Sequence, residues 1–143
     1  MPTISVAKRT NPHHGSHAHQ RAHFTTRHLT ASTVVVTVHG DLDASNAAHF
    51  TEYTLKSLPE NARLILDLSD VGFFGAACFA TLHTLNVRCA GARVDLLVVP
   101  GKAVSRVLRI CDPDAGLITA PDVPSAMSRE GDQRPLQLVS ENT

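Results

Sequence analysis

Three short runs of β-branched and aliphatic residues, each followed by a stretch with helical spacing, constrain this chain more than any other feature. Thr33 to Gly40 (TVVVTVHG) is a strand rich in β-branched residues and closed by a glycine. Leu64 to Leu68 (LILDL) is a continuous apolar run of the kind buried on both faces of a sheet. Val94 to Val99 is the third, broken by Pro100-Gly101. Between them, Asp43, Ser45 and Asn46 offer capping oxygens ahead of a helix over Ala47 to Leu58, which Pro59 stops. Ala76 to Ala90 reads as a helix with Cys78, Leu82, Leu85 and Cys89 on one stripe and Gly91 at its left-handed C-terminal cap. Ala103 to Ile110 reads as a shorter helix, with Val104, Val107, Leu108 and Ile110 inward and Arg106 and Arg109 outward. Ala22 to Leu29 is a leading strand, Leu117 to Thr119 a last edge strand, and Val123 to Arg129 a final helical turn or two. The order implies an α/β layer structure: a mixed sheet of four to five strands with about four helices packed on it.

Composition narrows the function classes. At 143 residues with 43% hydrophobic side chains, the chain has material for one domain with a real core. Zero formal net charge and a pI near 7.1 argue against a direct nucleic-acid or acidic-membrane binder. No apolar run reaches the length of a membrane helix, and Met1 to His19 lacks a signal-peptide core. Three cysteines are too few and too odd for a secreted disulfide framework, so a reducing cytoplasm is expected. Residues 1–20 are expected to form a flexible His-rich arm, 21–130 the folded domain and 131–143 a flexible tail.

An enzyme would need a constellation that is not here. The sequence has no phosphate-binding loop, dinucleotide turn, zinc helix, C-x-x-C pair or nucleophile elbow. Asp41, Asp43 and Asp67 fall near strand ends, where catalytic carboxylates often sit, but turn and capping duty explains Asp43 better. His13, His14, His17, His19 and His23 are potential metal ligands, yet apolar anchors to hold the rings in a closed geometry are missing. No catalytic residue, metal site or cofactor is expected.

The motifs resemble those of STAS-domain anti-sigma factor antagonists. Gly40-Asp41-Leu42-Asp43 is similar to that family's G-[ED]-L-D turn. Leu64 to Phe74 (LILDLSDVGFF) is similar to its V-x-L-D-L-S-x-V-x-F-[IM] strand, and Val104 to Ile110 (VSRVLRI) to its V-x-R-V-L-x-[LI] helix. The resemblance covers roughly residues 22 to 130 and implies a non-catalytic module that docks on an anti-sigma factor of the serine-kinase type. In that family the strand is followed by D-S-S-G, whose second serine is phosphorylated by the partner kinase. Here the aligned residues are Gly75, Ala76, Ala77 and Cys78, so the acceptor serine is replaced by Ala77. A phosphate would add about −1.5 to −2 charge at the first turn of a helix. Ala77 cannot take one, which leaves a permanently binding-competent module or one controlled by other means.

The surface the resemblance assigns to the partner comprises Asp41, Asp43, Ala44 and Asn46 with Gly75, Ala76, Ala77, Cys78, Phe79 and Ala80. Thiol chemistry is one candidate for replacement control. Cys78 lies in the first helical turn, where the dipole favours a thiolate, but it equally fits a small core residue on the Leu82 and Leu85 stripe. If both helices run antiparallel to the strands before them, Cys89 and Cys111 share one end of the domain and Cys78 stands about 16 Å from Cys89 at the other, which leaves Cys89–Cys111 as the one intramolecular pairing to weigh against reduced, buried thiols. Phosphorylation of Ser69, Thr81 or Thr84 is a further candidate, with Thr81 expected to face the partner and Ser69 in the turn before the helix. The alternative function is a scaffold subunit of a larger signalling assembly, or a ligand-sensing module, of the same fold.

Overall fold

The computed structural model describes residues 22–58 and 62–128. Strands β1 (Ala22–Thr30), β2 (Thr33–Leu42), β3 (Arg63–Phe74) and β4 (Asp95–Val99) form one sheet in the order β1-β2-β3-β4. β1 and β2 are an antiparallel hairpin, whereas β2, β3 and β4 run parallel. Helices α1 (Ala47–Lys56) and α2 (Ala77–Gly91) supply the two crossovers, α3 (Gly101–Cys111) follows β4, and residues 123–128 form α4. The expected mixed α/β architecture is the observed one.

The parallel strands are apolar over Val34–Val36, Leu64–Leu66 and Leu96–Val99, where both faces of the sheet are covered. Val34, Val36, Leu64, Leu66 and Val98 point to one face, where Phe50 of α1, Leu82 and Leu85 of α2, and Val104 and Leu108 of α3 complete the main core. Val35, Ile65, Leu97 and Val99 point to the other, under Ala120 and Ala126. Phe24 of β1 meets Phe50 and Tyr53 at ring-centroid distances of 5.9 and 5.2 Å, which seats α1 on the hairpin.

Several local expectations change. The LILDL strand continues to Phe74, because β2 also runs on to Leu42 and the two keep pairing through Gly40↔Val71 and Leu42↔Phe74. Ser69 is therefore an exposed residue of β3, not part of a turn before α2. Two register irregularities, between Thr37 and His39 and between Gly40 and Asp41, bend this extension. Gly91 lies inside α2, and the left-handed residue is Arg93 (φ 62°). There the Arg93 and Val94 amides close the reversal on the Ala90 and Cys89 carbonyls. Ile110 is 75% exposed, since two residues beyond Leu108 is nearly the opposite side of a helix. Leu117 to Thr119 contributes a single parallel bridge, Val98↔Thr119, and no strand. α1 ends at Lys56, ahead of Pro59, which with the 1–20 and 131–143 segments lies outside the described residues.

Candidate functional site

The chain turns between β2 and α1 over residues 43 to 46, and this turn is built from its own side chains. Asn46 receives the Asp43 amide on Oδ1 and donates Nδ2 to the Asp41 carbonyl, both at 3.0 Å. Asp43 Oδ1 accepts the Ser45 amide at 2.8 Å and the Ser45 hydroxyl. The expected capping of α1 by these oxygens is absent, because the oxygens are spent on holding the turn. Asn46 is buried, whereas Ala44 and Ser45 are exposed.

The start of α2 is fixed against this turn by the main chain. The Gly75 amide donates to the Leu42 carbonyl at 2.9 Å, and the Cys78 amide donates to the Gly75 carbonyl at 2.8 Å. A Cβ on Gly75 would stand 3.6 Å from Asp43 Cα, so the two segments touch. The structure thus brings together the two stretches assigned to one surface. Ala76, Ala77 and Ala80 are exposed on it, Phe79 is half-buried against the core, and Cys78 is buried.

Electrostatically the helix start is bare. No acidic residue stands in the first turn of α2, and Ala76 at its N-cap makes no side-chain bond. Burial, followed by the nearby Asp43 charge, pushes the Cys78 thiol from 9.0 up to about 11, and a hydrogen bond with the Gly75 backbone only partly opposes them. The thiolate expected from the helix dipole is thereby disfavoured: desolvation outweighs it. Burial raises Cys89 to about 11 as well, and all three cysteines, including Cys89 and Cys111, are free. Thr81 is 9% exposed and points inward, contrary to its expected partner-facing position, whereas Ser69 and Thr84 are exposed. Asp67 serves Ser69, accepting its amide at 3.1 Å and its hydroxyl at 2.6 Å. Among the described residues, no cluster of three or more His, Cys, Asp or Glu could hold a metal ion. No helix among them is long and apolar enough to cross a membrane.

Phe73 is the site residue that pattern reading passes over. It is 52% exposed, and its ring edge would lie 3.5 Å from a Cβ on Gly75. Strict alternation from Val71 would put Phe73 inside and Phe74 outside. The irregular end of β3 instead buries Val71 and Phe74 and turns Phe73 out. The result is a surface of one aromatic ring and exposed alanines beside the Asp43 turn, carried on the carboxyl ends of two parallel strands.

A site of this kind, at the end of a four-stranded mixed sheet with small residues opening the helix after the third strand, defines the class. The family model described as Mlab, STAS domain matches residues 25–119, and the chain belongs to this STAS-domain family. Solved structures share the fold. An anti-sigma factor antagonist from Mycobacterium paratuberculosis superposes with a TM-score of 0.65 at 18% identity, covering 76% of this chain and 93% of its own. A Thermotoga maritima protein described as an anti-sigma factor antagonist gives 0.64 at 18% identity, with coverages of 74% and 92%. The anti-sigma factor antagonist SpoIIAA in its unphosphorylated form gives 0.52 at 17% identity, with coverages of 74% and 94%. No curated protein matches the chain significantly.

Proposed function

We propose that this protein is a non-catalytic, cytoplasmic regulator that binds an anti-sigma factor of the serine-kinase type through the Asp41 to Asn46 turn and the Gly75 to Ala80 helix start. The observation that carries the reading is the exposed, uncharged knob of Ala76, Ala77 and Ala80 beside Phe73, anchored by the Gly75–Leu42 main-chain bond. Small side chains let a partner approach the helix backbone closely, and the exposed ring supplies apolar area for the contact. Ala77 stands where the antagonists carry a phosphorylatable serine, so the surface stays in its binding-competent form.

Of the replacement controls, the Cys78 thiol is poorly suited, because it is buried and neutral. Constitutive binding is the simpler outcome. The scaffold reading draws on the same missing acceptor, since a surface without a switch also suits a permanent subunit. Direct titration with a serine-kinase anti-sigma factor separates the two. Saturable binding that does not respond to ATP is expected, and absence of binding favours the scaffold.

A further inference from the structure

A second surface, sharing no residue with the site above, lies beside α3. A groove of about 690 Å³ runs between α3 and the 119–121 segment, lined among others by Lys102, Ser105, Arg106, Arg109, Thr119 and Pro121. No Asp or Glu side chain lines it. The three cations are exposed, and among the described residues none has a carboxylate partner. Of the carboxylates nearest in sequence, Asp112 accepts the Gly116 and Leu117 amides at 2.9 and 3.1 Å and Asp122 the Ser125 amide at 2.8 Å, and neither these nor the exposed Asp114 forms an ion pair with the three cations. A chain with no net charge therefore concentrates three unneutralised positive charges on one helix that carries no acidic residue.

The spacing selects the kind of anion. Lys102, Arg106 and Arg109 recur at i, i+4 and i+7, spreading the charge over two turns, or about 10 Å. An extended chain of carboxylates matches this spread better than a single phosphate does. Ile110, four residues after Arg106 and its neighbour on the helix surface, is 75% exposed. An inorganic polyanion has no use for that isoleucine, but a peptide with an apolar side chain among its acids does. We propose that α3 and the groove beside it dock an acidic peptide segment of a protein partner, with carboxylates on Lys102, Arg106 and Arg109 in the groove and an apolar side chain over its edge on Ile110, which stands outside the groove lining.

The test titrates the full chain with a fluorescent glutamate-rich peptide carrying a central leucine pair, its glutamine counterpart and inorganic tripolyphosphate, with amide NMR shifts to place the contacts. Saturable binding of the glutamate peptide, weak or no binding of the glutamine peptide, and shifts centred on α3 and residues 119–121 are expected. Lys102→Gln, Arg106→Gln and Arg109→Gln should each weaken the peptide by about two- to fivefold, the scale of exposed ion pairs. The triple charge reversal to Glu should abolish binding while leaving the NMR fingerprint of the fold intact. Ile110→Ser should weaken the peptide and leave tripolyphosphate unchanged. Tripolyphosphate binding as tightly as the peptide, with Ile110→Ser silent, would make this a plain anion site and overturn the proposal. So would shifts confined to other surfaces, or no saturable binding at all. Because none of these residues belongs to the α2 surface, loss of anti-sigma binding in the Ala77 variants below would neither support nor damage this assignment.

Discussion

The Gly75 amide and the Leu42 carbonyl meet at 2.9 Å, and this one main-chain bond joins the end of β2 to the approach to α2. It sets the height of the alanine knob relative to the 43–46 turn without using any side chain. Substitutions on the knob should therefore change what the surface presents while leaving its shape alone.

Ala77→Asp places a carboxylate on the exposed first turn of α2 and is expected to weaken binding to a serine-kinase anti-sigma factor by about tenfold or more, as an uncompensated interfacial charge does. The aspartate suits the helix dipole, so stability should not fall. Isothermal titration checks the affinity and thermal denaturation the stability, and unchanged affinity would place Ala77 outside the contact.

On the proposed match to the antagonists' acceptor motif, Ala77→Ser supplies a hydroxyl but leaves Gly75 at the position that the resemblance gives to an acidic residue. Phosphate transfer from the kinase is expected to be poor to this single variant and clearly faster to Gly75→Asp combined with Ala77→Ser. A Cβ at residue 75 meets only ordinary contacts of 3.5 to 3.7 Å, so the double variant should fold. Efficient transfer to the single variant, followed with labelled ATP, would contradict the role given to Gly75.

Asn46→Ala removes two hydrogen bonds of the 43–46 turn at a buried position. A loss of about 1–3 kcal/mol is expected from removing these two bonds at a buried position, measured by urea denaturation. Partner affinity should drop with it, because half of the proposed surface loses its frame.

Gly101 and Gly91 make an opposed pair. Gly101 has φ 69°, and a Cβ there would stand 2.6 Å from Ser69 Cα, so Gly101→Ala forces main chain apart. It should cost about 1–3 kcal/mol. Gly91 closes α2 with nothing within 4 Å of a Cβ, and Gly91→Ala should stabilise by about 0.4–1 kcal/mol. Melting temperatures moving in the same direction would refute the pairing.

Cys78 and Cys89 bear on the alkaline limit of the fold. Their thiols are raised from 9.0 to about 11, so between those values the unfolded chain loses protons that the folded chain keeps. Stability from these groups is intact below pH 9 and falls as the pH climbs through about 11, by about 2–3 kcal/mol for each thiol. Denaturation at pH 8 and at pH 10.5 measures the drop, and Cys78→Ala with Cys89→Ala should flatten the slope although both lower the baseline stability. Thiol reagents should reach the half-buried Cys111 first.

The sheet and its helices were legible because the apolar runs had one explanation. TVVVTVHG and LILDL have no polar side to spare, so they had to be strands covered on both faces, and Cys78, Leu82, Leu85 and Cys89 all reached the core on one stripe. What escaped depended on register. Phe73 and Phe74 are adjacent, chemically identical and opposite in fate, and only the irregular pairing of β2 with β3 decides which one faces water. Ile110 was misplaced for a related reason, since a four-residue apolar cluster on a short helix does not say which member falls beyond the core. Asp43, Ser45 and Asn46 stand out in the sequence as a group, but whether their polar atoms serve the helix or the turn is a question of angles that composition does not answer.

Main-chain atoms hold the alanine knob in place and one buried asparagine frames the turn beside it, while the methyl groups the knob displays hold nothing else up. Such a division frees the display from the frame. Successive exchanges at residues 76, 77 and 80 could retune which protein is greeted there, one small step at a time, without the fold having to be rebuilt around each choice.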